Sequence, residues 1–151
     1  MGKHETGYAR VAKDLYPTRE RWVTEALLEH VSVSGLRVWE IAAGAGDMAE
    51  VLKAAGAHVL CSDIAEYGYP VDALFDFTSA DVPPQLQDFD AMITNPPGGN
   101  GNRLAVKFIE VGLARIPRGG FLALLLPTDF DSAARGDTSS TTARTSPPGS
   151  F

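Results

Sequence analysis

Between the turn Arg118-Gly119-Gly120 and Pro127 the chain reads Phe121-Leu122-Ala123-Leu124-Leu125-Leu126, without one polar residue. A strand with a face in water alternates polar and apolar side chains. An unbroken apolar run needs cover on both faces, which a parallel sheet between layers of helices provides. Parallel strands require crossover connections, so strand and helix patterns must then alternate along the sequence. They do. Strands are predicted over 36–42, 57–63, 71–76, 89–94 and 119–126. Helices are predicted over 18–31, with Thr18 as N-cap, and over 47–55 and 102–115. The stretch Thr78 to Leu86, with Pro83-Pro84, reads as a loop or a short irregular helix. The pattern specifies a doubly wound α/β domain around a mostly parallel sheet.

Ligands of such sheets bind at the carboxyl ends of the strands, so the residues there carry the functional reading. The first strand ends in Glu40-Ile41-Ala42-Ala43-Gly44-Ala45-Gly46-Asp47. Gly44 and Gly46 fall in a strand-to-helix turn, where glycine lets the backbone approach a ligand and the next helix offers its first N–H groups. Met48 and Ala49 stand near the place of a third glycine, so the dinucleotide fingerprint is poorly met. Glu40 would repel a pyrophosphate and suits a ligand carrying a positive charge, such as an amino group.

The second strand ends at Asp63-Ile64. A carboxylate at that tip, roughly 20 residues past a glycine turn, can accept hydrogen bonds from both ribose hydroxyls; its alternative role is to cap a loop or helix. Ile64 can pack on an adenine face. The third apolar run ends at Asp76-Phe77, and Asp76 is either an acceptor for an adenine amino group or an exposed turn acid. The fourth ends at Asn95-Pro96-Pro97-Gly98. Proline removes N–H donors and leaves rigid carbonyls, while the Asn95 amide adds a donor and an acceptor. That combination suits holding a planar nitrogen that carries an amino group.

The order Glu-x-Ala-x-Gly-x-Gly, Asp63, Asp76-Phe77, Asn95-Pro96-Pro97 resembles the class I S-adenosylmethionine-dependent methyltransferases, and within them the branch that methylates adenine N6 in DNA. The likeness runs from about Tyr8 to Ala134 and takes in Tyr16-Pro17-Thr18 and Trp22 to Leu28. It implies S-adenosylmethionine as cofactor, bound by Tyr16, Thr18, Glu40, Ala42, Gly44, Gly46, Asp63, Ile64, Asp76, Phe77 and Asn95. It implies Asn95, Pro96 and Pro97 as the catalytic loop, and nucleic acid, DNA first, as the partner. Relatives with the same loop methylate a glutamine amide or guanine N2, and those acceptors stay open. A catalytically inactive remnant that binds cofactor or a partner is a third reading.

The chain departs from the resemblance in two places. The branch has an aromatic residue after Asn-Pro-Pro that stacks on the target base; here Gly98 stands there. The family sheet has seven strands, completed by an antiparallel hairpin, whereas only five strands are legible. Gly136 to Ser150 is rich in Ser, Thr, Gly and Pro, the composition of a disordered segment. The expectation is therefore a methyltransferase domain over 1–134 lacking its last two strands, with a disordered or aberrant tail over 135–151. A bare fifth strand would pair with a second copy of the chain, or with the tail folded back over it.

Composition narrows the field further. The net charge of −6 and pI near 4.9 lack the footprint of a nucleic-acid binder. Arg10, Lys13, Arg19 and Arg21 near the N-terminus and Arg103 and Lys107 after the Asn-Pro-Pro loop either form a local basic rim around the pocket or are each a solvated surface charge. His4, His30 and His58 are scattered without ligand spacing, so no metal site is expected. The single Cys61 fits a reducing compartment. With no long apolar span, the expectation is a cytoplasmic protein free of the membrane.

Overall fold

The computed structural model describes residues 21–97, 102–126, 130 and 143–145. Its elements are α1 (Arg21–Leu28), β1 (Arg37–Glu40), α2 (Asp47–Ala54), β2 (His58–Asp63), β3 (Ala73–Leu74), β4 (Ala91–Thr94), α3 (Arg103–Arg115), β5 (Phe121–Leu124) and β6 (Ala143–Thr145). A single 3-10 turn, Pro84–Leu86, lies in the expected loop before β4. The strands form one sheet in the order β3-β2-β1-β4-β5-β6. The pairings among β1 to β5 are all parallel. From β1 the chain winds outward through β2 and β3 on one side, and through β4 and β5 on the other. The point of reversal therefore lies between β1 and β4.

Alternation within each strand builds a separate core on each face. Trp39, Met92 and Leu122 point to one side, where they pack with Phe75, Phe77 and Phe108. Val38, Ile93 and Ala123 point to the other and meet Val33, Met48 and Leu52, with Leu27 and Leu28 of α1 alongside. Trp39 anchors the first layer. Phe77 and Phe89 meet its ring edge-on, each at 5.3 Å between centroids. Its indole Nε1 donates to Ser62 Oγ at 2.8 Å, and that hydroxyl donates to the Ile41 carbonyl at 3.0 Å. The buried indole N–H is thus satisfied, as a low-dielectric interior requires.

Two expectations need correction. The strand expected over 71–76 contracts to Ala73–Leu74. Asp72 explains the shortening: its carboxylate accepts from the Cys61 N–H at 2.7 Å, replacing part of the ladder with a side-chain bond. The second concerns the sheet edge. β5 does not end the sheet: Ala143–Thr145, inside the stretch expected to be disordered, pairs antiparallel with Phe121–Ala123. This is the second of the two covers expected for that strand, the tail folded back over it. Low apolar content limits what a segment can bury. It does not prevent main-chain groups from pairing with an edge, which needs no apolar side chain.

Candidate functional site

Parallel strands bring their carboxyl ends to one rim, and the reversal point there opens a crevice between neighbouring connections. Glu40 ends β1 and Thr94 ends β4. Glu40 is only 1% exposed. Its Oε1 accepts the Thr94 hydroxyl in a short hydrogen bond, and also the Ala42 N–H at 3.1 Å. The Ala42 N–H is shared with Thr94 Oγ1 at 3.3 Å. The acid of the first strand is thereby tied to the strand that delivers Asn95, Pro96 and Pro97. Both prolines are buried and Asn95 is partly exposed.

The glycine turn leaves β1 immediately beyond. Gly44 has φ 54° and Gly46 has φ 87°, left-handed values that side chains with a Cβ rarely adopt. Asp63 Oδ2 accepts the Gly44 N–H at 2.8 Å, and Oδ1 accepts the Ile64 N–H at the same distance. The second-strand acid therefore holds the turn and its own loop together, and it is 1% exposed. Ala42 and Ile64 are buried beside it. Helix α2 opens with Asp47 and Glu50 in its first turn. These acids complement the positive end of the helix and oppose a bound phosphate.

No protein-family model matches the sequence, and no curated protein does. The fold does have solved counterparts. The 16S rRNA N2 G1207 methyltransferase RsmC of T. thermophilus, solved with AdoMet and guanosine, superposes with a TM-score of 0.54 at 21% identity. That match covers 89% of this chain and 44% of RsmC. PH1948 of Pyrococcus horikoshii, a candidate RNA methyltransferase, gives 0.58 at 16% identity, over 83% of this chain and 68% of that one. A candidate hemolysin of Lactococcus lactis gives 0.57 at 17% identity, covering 78% and 61% respectively.

The fold is that of the class I methyltransferases. At these identities the likeness concerns the fold, and the chain spans less than two thirds of both RsmC and the Lactococcus protein.

Within the methyltransferase fold the remaining candidate residues are placed unevenly. Asp76 Oδ1 accepts the N–H and hydroxyl of Thr78, at 2.9 and 2.6 Å. Its Oδ2 is buried and has no hydrogen-bond partner among the described residues. Phe77 is fully buried between Trp39 and Phe108, so its ring belongs to the core. Tyr16 and Thr18 lie outside the described residues.

Sequence reasoning missed Thr94 and Arg115. Thr94 had one signal, a hydroxyl at the end of a buried apolar run. Arg115 had none, because its partners lie far away in sequence. It donates to the Phe77 carbonyl at 2.7 Å and to the Ser79 carbonyl, with its guanidinium 5.0 Å from the Phe77 ring centre. Burial lowers its pKa, and the nearby Asp76 charge opposes that shift. Arg115 thereby fixes the segment in which Asp76 sits.

Proposed function

We propose that this protein binds S-adenosylmethionine and transfers its methyl group to a planar amino nitrogen, with adenine N6 in DNA as the first acceptor. The observation that carries the reading is the hydrogen bond between Thr94 and Glu40. It joins an acid at the end of β1 to the strand delivering Asn95-Pro96-Pro97, at the reversal point of a methyltransferase fold.

The residues present fit the cofactor. Two buried carboxylates, Glu40 and Asp63, end adjacent strands and suit a ligand with an ammonium group and two ribose hydroxyls. Asp63 accepts the Gly44 and Ile64 N–H groups, which fixes its carboxylate at the tip of β2 beside the glycine turn. The unsatisfied Oδ2 of Asp76 supplies an acceptor for an amino donor, the group adenine carries. The acids at the start of α2 disfavour the pyrophosphate of a dinucleotide.

S-adenosylmethionine supplies a methyl group on a positively charged sulfur, so the protein needs mainly to position the acceptor. Asn95 and the Pro96 carbonyl would hold the acceptor amine by accepting its hydrogen bonds and so orient its lone pair, and the methylated nitrogen would then release one proton to solvent. Thr94 sets the strand end from which Asn95 projects. A base in a duplex would have to be flipped out to reach this rim.

Guanine N2 in RNA is a second reading, favoured by the fold shared with RsmC over 89% of this chain. Both acceptors are exocyclic amines on a purine. The test is calorimetric titration of the full chain with S-adenosylmethionine, followed by transfer of labelled methyl to DNA, RNA and protein. Saturable binding with label in a purine amine is the expected result. Absence of binding, or label confined to protein, overturns the reading.

A further inference from the structure

Beside the rim, a connected polar group lies where Tyr69 crosses the glycine turn. Tyr69 sits on the connection between β2 and β3, after Gly68 in the left-handed conformation (φ 87°) and before Pro70. Its ring lies against Gly46 so closely that a Cβ on that glycine would fall 2.0 Å from Tyr69 Cδ1. The ring also packs beside Ala43, Ala49 and Cys61. Its hydroxyl donates to Glu50 Oε2 at 2.8 Å and accepts from Lys53 Nζ at 2.7 Å. Glu50 and Lys53 are successive outward positions of α2, 3.7 Å apart in an ion pair, and the Lys53 ammonium lies 5.1 Å from the ring centre.

The same connection touches the glycine turn a second time. Asp63, at its start, accepts the Gly44 N–H. The turn is therefore gripped at Gly44 by Asp63 and at Gly46 by Tyr69. A turn with two left-handed glycines has many conformations open to it, since glycine carries the least steric restraint of any residue. Something must select one. The missing Cβ of Gly46 admits the Tyr69 ring, and the ring then holds the glycine in place.

We infer that Tyr69 is a positioning residue for the cofactor site, latching the glycine turn through Gly46, Glu50 and Lys53. The inference rests on the reading of the rim as an S-adenosylmethionine site. Tyr69 touches no reacting atom. It acts by holding the turn in the shape that receives the ligand, so its effect falls on affinity and leaves the chemical step alone.

Tyr69→Phe keeps the ring and removes both hydroxyl bonds; Tyr69→Ala removes the ring as well. Calorimetry of the full-length variants should show S-adenosylmethionine binding weakened about fivefold in Tyr69→Phe and more than about tenfold in Tyr69→Ala. Turnover at saturating cofactor should match the unsubstituted protein, a split that general destabilisation would not give. Affinity within twofold of the parent in both folded variants overturns the inference. Amide hydrogen exchange over residues 44–50, measured without ligand, separates the two ideas. Faster exchange there in Tyr69→Phe supports the latch, and unchanged exchange overturns it even if Tyr69→Ala fails to fold. Failure of the parent protein to bind S-adenosylmethionine instead overturns the cofactor reading, leaving the latch to be judged by exchange.

Discussion

At the scale of single residues, the site is built from acids that the interior would not tolerate without partners. The place of Asp63 at the end of the second strand was legible in the sequence; its ribose role belongs to the proposed function. Its bond to the Gly44 N–H was not legible, since nothing in the sequence fixes the path of the turn. If Asp63 also accepts ribose hydroxyls, Asp63→Ala should weaken S-adenosylmethionine binding by roughly 1.5–3 kcal/mol. Calorimetry showing unchanged affinity would remove that role. Cys61 makes a different case. It is 2% exposed, and burial, reinforced by the charge of Glu40, pushes its pKa up to about 12. The folded state therefore keeps the thiol proton through a range in which the unfolded chain, titrating near ~8.5, has lost it. Its contribution to stability should be complete below that value and be lost as pH rises toward about 12. Urea titrations at pH 7.5 and 10 should show the fall, and it should be smaller in Cys61→Ala. The native thiol should also resist a thiol reagent until the protein unfolds.

At the scale of elements, β5 was readable because its unbroken apolar run needs burial on both faces, and β1 and β4 because apolar pairs such as Val38-Trp39 and Met92-Ile93 run into the turn signals that follow them. The opposed cores around Trp39 and Val38 follow from that. β3 was readable as an element but not in length, because Asp72 takes a bond that periodicity would assign to a ladder. β6 was legible only as a need, the bare fifth strand calling for a partner; its position was not, since a three-residue edge strand rests on main-chain pairing and leaves no apolar signature. The β1–β4 junction makes a sharper test than either. Thr94→Val retains shape and β propensity but deprives buried Glu40 of a donor. It should cost about 1.5–3 kcal/mol of stability, the worth of one hydrogen bond to a charged acceptor. A denaturation midpoint equal to the parent's would mean that Glu40 does not depend on Thr94.

At the scale of the whole molecule, the acidic charge limits how a nucleic acid can be held. With a net charge of −6, the chain has no broad field to attract phosphates. Among the described residues, Arg103 and Lys107 are exposed cations on the first turns of α3, which follows the Asn-Pro-Pro loop. Two phosphate contacts correspond to a salt slope of about −1.4 on a single strand, or about sevenfold weaker binding between 50 and 200 mM salt. Oligonucleotide titrations at those concentrations test this, and a loss above about a hundredfold would require a basic surface elsewhere. On the proposed function, recognition of a nucleic-acid acceptor then rests on the base and its amine, and so on Asn95. The most direct measurement is transfer of labelled methyl from S-adenosylmethionine to DNA and RNA by the parent and by Asn95→Ala, with the modified base identified after digestion. N6-methyladenine from the parent and no transfer by Asn95→Ala are the results expected from the proposed function. An Asn95→Ala protein that still transfers methyl groups, or a parent that binds the cofactor and modifies no purine amine, would contradict it.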